Sequence, residues 1–541
     1  MGPEDDLGRN PGLVYLFEGL ARSRNSKERP LIVVSNSKIK SISELGPLLA
    51  RLRADRASKI VQCHGVFDLL HVGHIRHFAE ARKMGDVLVV TITPDCHVNK
   101  GPHRPAFNQG LRAESIAALE CVDYVAVNEW PTAVEAIGIV RPDYYVKGPD
   151  YKDASKDVTQ GILLEQRAVE SVGGSLVHTD DLTFSSSQLL SRHFPSFAPE
   201  VQKYLREFGE RHRPQEILGY LDSVRTLRVL VVGEAIIDEY QYCQAIGKSS
   251  KEPMLAVRRL DTEKFAGGIL AVGNHTSSFC DQVGLVTLLG ERDSQESFIR
   301  EKLNPQIETT FITHSGAPTL VKRRFIENYF FTKMLEVYEM DDRELSGVDQ
   351  ERLCAALFEQ LPKYDVTIVV DFGHGMLNRE AIRIIEDRAR FLAINVQSNA
   401  ANLGYHAISK YGRADYVCCT EPELRLEARD RHSEIEAHMV QVCQRMGATQ
   451  VTATRGRNGS LVYSARDGFV SAPALAGQVV DRVGAGDAVL SVTAMCVARQ
   501  VPAEVTAFIG NAVGAQAVAT VGNRTPLQRP ALYKHIESLL K

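Results

Sequence analysis

Short apolar runs alternate with stretches of helical spacing along most of this chain, and the alternation starts afresh near its middle. Lys59-Ile60-Val61-Gln62-Cys63, Val87-Leu88-Val89-Val90-Thr91-Ile92, Tyr124-Val125-Ala126-Val127 and Tyr144-Tyr145-Val146-Lys147 read as short buried strands. Ser41–Arg53 carries apolar residues at Ile42, Leu45, Leu48, Leu49 and Leu52, a helical spacing, and His74–Met84 and Ala133–Ile139 also read as helices. Strands that alternate with helices predict a parallel sheet with its sites at the carboxyl ends of the strands.

The second series begins at Arg228–Glu234. It runs through Gly284–Gly290, Val366–Asp371, Phe391–Asn395, Tyr416–Cys419 and Gln450–Thr454, predicting a larger second α/β domain. Tyr240–Lys264, with the β-like piece Met254–Val257, reads as a small lid. The expected organisation is a mobile extension over 1–28, with a short helix near Leu13–Arg22, then a domain over 29–195 that opens on Leu31–Val34. A Pro-punctuated linker over 196–226 and a second domain over 227–541 follow.

A chain of 541 residues, 44% hydrophobic, can bury more than one core. Its net charge of -4 gives no electrostatic case for nucleic acid or an anionic membrane surface. No apolar run approaches the roughly 20 residues that span a bilayer. Met1-Gly2-Pro3-Glu4-Asp5-Asp6 is acidic and lacks the basic-then-apolar order of a signal peptide. The ten cysteines have no CxxC spacing, so they read as reduced thiols in a cytoplasmic protein rather than a metal cage or disulfide framework.

Two loops carry the candidate chemistry. In His64-Gly65-Val66-Phe67-Asp68-Leu69-Leu70-His71-Val72-Gly73-His74, two histidines flank one glycine at a strand-to-helix turn. His71 and His74 can both point at one phosphate, Gly73 allows close backbone approach, and the helix N-terminus adds partial positive charge. That arrangement suits nucleotidyl transfer, which needs positioning and charge stabilisation at the α-phosphate as pyrophosphate leaves. Lys100, Arg104 and Arg112, after the next strand, suit the same task. The plain alternative is that both histidines cap a helix. In Gly484-Ala485-Gly486-Asp487, loop N–H groups can hold a migrating phosphoryl group, and Asp487 at the helix start can take a proton from the acceptor hydroxyl. The tetrapeptide alone could equally be a capping turn. Lys322-Arg323-Arg324 reads either as a clamp for a phosphate already on the substrate or as a solvated face.

From Lys38 to His193 the chain resembles the HIGH-type cytidylyltransferase-like family, on Gly65-Val66-Phe67-Asp68 before HxGH, on Val146-Lys147-Gly148-Pro149-Asp150-Tyr151 and on Thr183-Phe184-Ser185-Ser186-Ser187. The resemblance implies nucleotide contacts at Gly65, Phe67, Asp68, Gly73, Lys147, Gly148, Asp150, Ser185, Ser186 and Ser187. His64 stands where that family commonly has Asn, and Pro149 where it has Gly or Asp.

From Arg228 to Leu539 the chain resembles the PfkB/ribokinase sugar-kinase family, on GAGD, Gly233–Asp238, Gly267-Gly268 and Thr454–Gly459. The resemblance implies sugar contacts at Asp238, Gly267 and Gly268 and an ATP site at Thr454, Arg455, Gly456, Gly484, Ala485, Gly486 and Asn511. It also implies a magnesium-organising carboxylate, here Glu423 of Thr420-Glu421-Pro422-Glu423, where Thr420 replaces an Asn. Ala271 stands where an Asn is frequent, and Asn395-Val396-Gln397-Ser398 replaces a more usual Asp-Pro-Lys.

Together the halves resemble the bifunctional heptose kinase/adenylyltransferases that make ADP-heptose, with the domain order reversed. The fold class expected is α/β: two Rossmann-like parallel-sheet domains, the second ribokinase-like with a small β lid. The resemblance implies Mg²⁺ and ATP, or CTP in the transferase, sugar-phosphate substrates, a separate phosphatase and a homodimer formed through the lid. The rival reading keeps a transferase for another sugar or polyol phosphate and makes the second half a sensor or dimerisation scaffold.

Overall fold

A computed structural model describes residues 37–98, 105–148, 161–179, 197–400 and 402–540. The first domain holds β1 (Ile60–Gly65), β2 (Val87–Ile92), β3 (Tyr124–Val127), β4 (Tyr144–Lys147) and β5 (Ser175–His178). They form one sheet in the order β3-β2-β1-β4-β5, every neighbour parallel. Successive connections run one way from β1 to β3 and then return to β4 on the other side of β1. The crevice for a ligand therefore lies beyond the carboxyl end of β1, where the two directions part. All six residues of β2 are buried, as a strand covered on both faces must be.

The second domain continues with β6 (Arg228–Gly233), β7 (Ala235–Lys248), β8 (Leu255–Gly268), β9 (Gln282–Arg292), β10 (Ile307–Pro318), β11 (Val321–Glu327) and β12 (Thr332–Glu339). It closes with β13 (Val366–Asp371), β14 (Leu392–Val396), β15 (Tyr416–Thr420), β16 (Gln450–Thr454), β17 (Ser460–Ser464) and β18 (Gly468–Ala472). Nine strands form the main sheet in the order β10-β9-β6-β13-β14-β15-β16-β17-β18, with β17 and β18 antiparallel. Alternate residues of one strand feed opposite cores: Val229, Val231, Ile368 and Val370 pack on one face, and Leu230, Val232 and Val369 on the other.

Four strands in the order β12-β11-β7-β8 make the lid. It is larger than the short pieces expected over Tyr240–Lys264, because β7 and β8 are each 14 residues long and are joined by β11 and β12 from a later part of the chain. Period-two burial sorts the lid's side chains. Asp238, Tyr240, Lys322 and Arg324 are buried and register as neighbours across β7 and β11, Lys322 opposite Asp238 and Arg324 opposite Tyr240.

The expected linker over 196–226 folds instead into two helices, Pro199–Arg211 and Pro214–Ser223, each opened by a proline in its first turn. Leu205, Phe208, Ile217 and Leu221 join the core of the second domain, and Phe208 stacks on Phe508 with centroids 4.4 Å apart. The prolines mark helix starts here rather than a linker. The 1–28 extension and Leu31–Val34 lie outside the described residues.

Candidate active sites

At the first loop, His71 is the N-cap of helix Val72–Arg82, and its Nδ1 accepts the Gly73 N–H at 3.1 Å. The His71 and His74 rings stack with centroids 3.9 Å apart, and Phe67 packs edge-on to His74 at 5.3 Å and to Phe78 at 4.9 Å. Capping and phosphate handling are compatible in this geometry: one His holds the turn, and the stacked pair stands where helix N–H groups concentrate positive potential. Phe67 takes the left-handed conformation, φ 46°, a strained choice for an aromatic residue that the surrounding loop must hold.

Two of the expected nucleotide contacts turn out to build the loop. The buried Asp68 accepts the Ala106 N–H at 2.6 Å. Arg112 is 1% exposed and donates to the carbonyl oxygens of Val66, Phe107 and Thr93 and to Asp95. With its guanidinium distributed among those acceptors, Arg112 ties the HxGH loop to the end of β2 and is not aimed at a phosphate. Beneath the loop, the His64 ring contacts the hydroxyls of Thr91 at 2.9 Å and Thr93 at 3.2 Å. Burial, helped by the charge of Lys147, pushes its pKa down to about 3, so it is a neutral scaffold residue. Lys147 pairs with Glu165 at 2.8 Å, both side chains nearly buried. Lys100, Arg104, Asp150, Ser185, Ser186 and Ser187 lie outside the described residues.

In the second domain a cavity of about 280 Å³ opens at the carboxyl ends of the strands. The lid contributes Asp238, Gly268, Lys322 and Arg324; the carboxyl ends of the sheet strands contribute Thr454 and, one residue past its strand, Gln397; helix Glu421–Ala428 contributes Glu423; and the turn into helix Ala485–Ala498 contributes Arg482, Gly484, Gly486 and Asp487. Gly484 has φ 79°, and a Cβ there would lie 2.2 Å from Asn523 Oδ1, so this turn needs glycine. At Gly486 a Cβ would meet nothing within 4 Å, so open space faces the turn there. Asp487 is buried and accepts Gln397 Nε2 at 2.7 Å. Burial pushes its pKa up to about 7 against the lowering effect of that hydrogen bond. A carboxylate so poised, at a helix start inside a cavity, is suited to general-base work.

Asp238 binds Arg324, and Arg324 also donates to Glu336 at 2.7 Å. A Cβ on Gly267 would lie 2.0 Å from Asp238 Oδ2, so the glycine is the space the carboxylate occupies. Lys322 is 6% exposed. Its ammonium lies 5.1 Å from the Tyr338 ring centroid and 5.4 Å from that of Phe372, and it has no hydrogen-bond or ion-pair partner among the described residues. Arg323, between them, points to the other face of the lid and pairs with Glu239 and Glu339. The basic triplet thus divides: two residues line the cavity and one is solvated.

Other expected contacts have structural partners. Both oxygens of Glu423 accept backbone N–H groups, from Thr420 at 2.8 Å and Ser398 at 3.2 Å, in a capping box for helix Glu421–Ala428. Asn511 spends its amide on Ser460 Oγ and the Ala507 carbonyl. Arg455 pairs with Glu421 at 2.9 Å. Sequence reasoning did not single out Asp481. This buried carboxylate takes the Tyr240 hydroxyl at 2.6 Å, the Lys333 ammonium, and the N–H groups of Val483 and Gly522.

The family model described as pfkB family carbohydrate kinase matches residues 226–530, more than half of the chain. The chain belongs to the pfkB family of carbohydrate kinases. Residues 63–192 match the cytidylyltransferase-like family, so the chain joins a nucleotidyltransferase domain to a carbohydrate-kinase domain, in that order. Among curated relatives, the "Bifunctional protein HldE" of Aliarcobacter butzleri is 44% identical over 143 residues, 26% of this chain and 29% of that protein. The protein of the same description from Geobacter metallireducens is 35% identical over 178 residues, 32% of this chain and 33% of that one. The match spans about a third or less of these relatives' length. Solved structures similar to this chain include phosphofructokinase-2 from Escherichia coli in complex with potassium, with TM-score 0.47 and 15% identity over 58% of this chain and 100% of that chain. Arabidopsis thaliana ribokinase complexed with ribose and ATP gives TM-score 0.44 and 15% identity over 58% of this chain and 99% of that chain.

Proposed function

We propose that this chain is a bifunctional enzyme of nucleotide-sugar synthesis. Its kinase domain phosphorylates the anomeric hydroxyl of a sugar phosphate, of which heptose 7-phosphate fits the resemblance best. Its transferase domain then couples the sugar 1-phosphate to AMP from ATP, giving an ADP-heptose type of product and pyrophosphate. The observation that carries the kinase reading is a single cavity lined both by the carboxylate of Asp487 and by the buried ammonium of Lys322, which has no hydrogen-bond or ion-pair partner among the described residues. A buried ammonium with no anion hydrogen-bonded to it is costly, and a phosphate already on the acceptor would supply that contact.

In the kinase step, Asp487 takes the proton of the acceptor hydroxyl, whose oxygen bonds to the γ-phosphorus as ADP leaves. N–H groups of the Gly484–Asp487 turn stabilise charge on the transferring phosphoryl group. Asp238 and the backbone at Gly267-Gly268 hold sugar hydroxyls, while Lys322 and Arg324 face the substrate phosphate. In the transferase step, a phosphate oxygen of the sugar 1-phosphate attacks the α-phosphorus of the nucleotide. His71 and His74 stabilise the charge that builds there as pyrophosphate departs. Among the described residues no three His, Cys, Asp or Glu side chains cluster as a metal site, and Glu423 is engaged by backbone N–H groups. Magnesium would accompany the nucleotide phosphates and would neutralise their charge, with Glu423 the residue that would help to hold it. Removal of the 7-phosphate falls to a separate phosphatase.

The outward face of the lid supports a homodimer formed there. Leu335, Val337 and Leu260 are exposed on it, beside a concavity lined by Glu239, Gln241, Arg323 and Phe325. All ten cysteines are free thiols, which suits a reducing compartment such as the cytoplasm. Among the described residues no helix is long and apolar enough to cross a membrane.

The test is to incubate the protein with Mg²⁺, ATP or CTP and a panel of sugar phosphates, scoring ADP and pyrophosphate separately. ADP from heptose 7-phosphate that is lost in Asp487→Ala, and pyrophosphate from heptose 1-phosphate that is lost in His74→Ala, are expected. Pyrophosphate without ADP from any acceptor would leave a transferase carried on a kinase-like scaffold, and a preference for CTP would change the nucleotide.

A further inference from the structure

Gln397, one residue past the end of β14, meets the candidate base directly. Its Nε2 donates to Asp487 Oδ1 at 2.7 Å, and both residues line the same cavity. The backbone beneath it is held on both sides. The Gln397 N–H donates to the Asp371 carbonyl at 2.9 Å, and the next residue, Ser398, donates its N–H to Glu423. Asp371 is itself fully buried and accepts Lys410 Nζ and Tyr411 OH, each at 2.9 Å. The backbone from which the amide extends is thereby fixed. The amide occupies one oxygen of Asp487, while Oδ2 has no hydrogen-bond partner among the described residues.

We infer that Gln397 is a positioning residue for phosphoryl transfer: it locks the Asp487 carboxylate so that Oδ2 faces the acceptor hydroxyl, and it does so as a neutral donor that leaves the carboxylate basic. This inference rests on the kinase reading above. A cationic donor at this point would hold the carboxylate in its charged form by Coulomb attraction as well as by a hydrogen bond, which weakens it as a base. An amide supplies direction with little of that penalty. The charged groups around Asp487 are few and mixed: Asp238 on β7, Lys322 and Arg324 on β11, Glu423 on helix Glu421–Ala428, and Arg482 in the loop before Asp487. The Cys418 and Cys419 thiols of β15 also line the cavity, and burial keeps both protonated. With no cation bonded to Asp487, a change of charge at position 397 acts on the base with little competition. The raised pKa of Asp487 agrees with this arrangement.

The test compares Gln397→Leu and Gln397→Lys with the unaltered chain, following ADP formation from the accepted sugar phosphate against pH, with nucleotide affinity and thermal midpoint as controls for folding. Gln397→Leu should lower kcat by about ten- to a hundredfold, the cost of a misdirected base, and move the acid limb of kcat/KM to higher pH. Gln397→Lys should move that limb to lower pH by about one unit. Parallel pH profiles, with rates lowered uniformly, would reduce Gln397 to a packing residue and overturn the proposal. If the unaltered chain forms no ADP from any acceptor, the kinase reading fails by itself. A ¹³C-carboxyl titration of Asp487, assigned with Asp487→Asn, then decides the role of Gln397: its pKa must rise in Gln397→Leu and fall in Gln397→Lys, and no change in either variant overturns it.

Discussion

The Tyr240 hydroxyl, on lid strand β7, donates to Asp481 Oδ2 at 2.6 Å, and Asp481 opens the loop that ends at Asp487. Lys333 of β12 binds the other oxygen, which also accepts the Val483 N–H. One buried carboxylate therefore joins two lid strands to the turn that handles phosphate. Burial pushes its pKa up, and the donors from Lys333 and Tyr240 more than reverse that, leaving Asp481 ionised.

Removing one donor should be felt in both stability and turnover. Tyr240→Phe leaves a buried acceptor short of a partner and should cost ~1–3 kcal/mol, read as a lowered unfolding midpoint. Asp481→Ala should be worse, since it strands the Lys333 ammonium, and ADP formation should fall with it. An unchanged midpoint in both variants would contradict the hub.

Asp487 makes a prediction about pH and stability. Its folded pKa is raised to about 7, whereas the ordinary value is 3.8. Between those values the folded chain binds a proton that the unfolded chain has released. The stability from this group is therefore full below about pH 4, declines as pH rises towards 7, and is flat above it. Asp487→Asn should remove that slope, so the gap between the denaturant midpoints of the two proteins should change from about pH 4 to 7 and stay constant above it. Parallel curves would mean that Asp487 titrates normally.

Lys322 and Arg323 are adjacent in sequence and opposite in placement, so they should behave differently. Lys322→Met keeps the buried stem and removes the charge, and should raise KM for a phosphorylated acceptor by about ten- to a hundredfold, in the range of one lost charge-assisted contact. Arg323→Ala, a partly exposed pair on the outer face, should change KM less than about threefold. Steady-state kinetics on both variants decides this, and equal effects would remove the clamp.

The helices at Pro199–Arg211 and Pro214–Ser223 should be indispensable to the kinase domain. Phe208 is fully buried against Phe508, so Phe208→Ala should cost ~3–5 kcal/mol. A variant beginning after residue 226 should lose most of its cooperative unfolding. If the truncated chain melts like the complete one, the segment is the linker that its prolines suggested.

Much of the frame was legible in the sequence because of how buried parallel strands are built. A strand covered on both faces carries mostly apolar and β-branched residues, so Val87–Ile92 and Val366–Asp371 could be read to the residue. The glycines of GAGD announced a helix start for a similar reason, since Gly484 needs φ 79°. The lid was less legible: one face of its strands meets solvent, and residues such as Arg258, Arg259, Asp261 and Glu263 carry no apolar run. Arg112 was read as a phosphate contact because its charge is visible in sequence while the carbonyl oxygens that consume it are not.

The order of two α/β domains, the two anion-handling turns and the candidate base at Asp487 are properties of local sequence, since helix starts and apolar strands follow from neighbouring residues. The tertiary structure alone decided that Lys322 lines a cavity while Arg323 does not, and that Asp481 fastens the lid. It also brought Gln397 to Asp487 across 90 residues of chain. Those relationships depend on strand register and on which face of a sheet is covered, and both are set by packing between segments far apart in sequence.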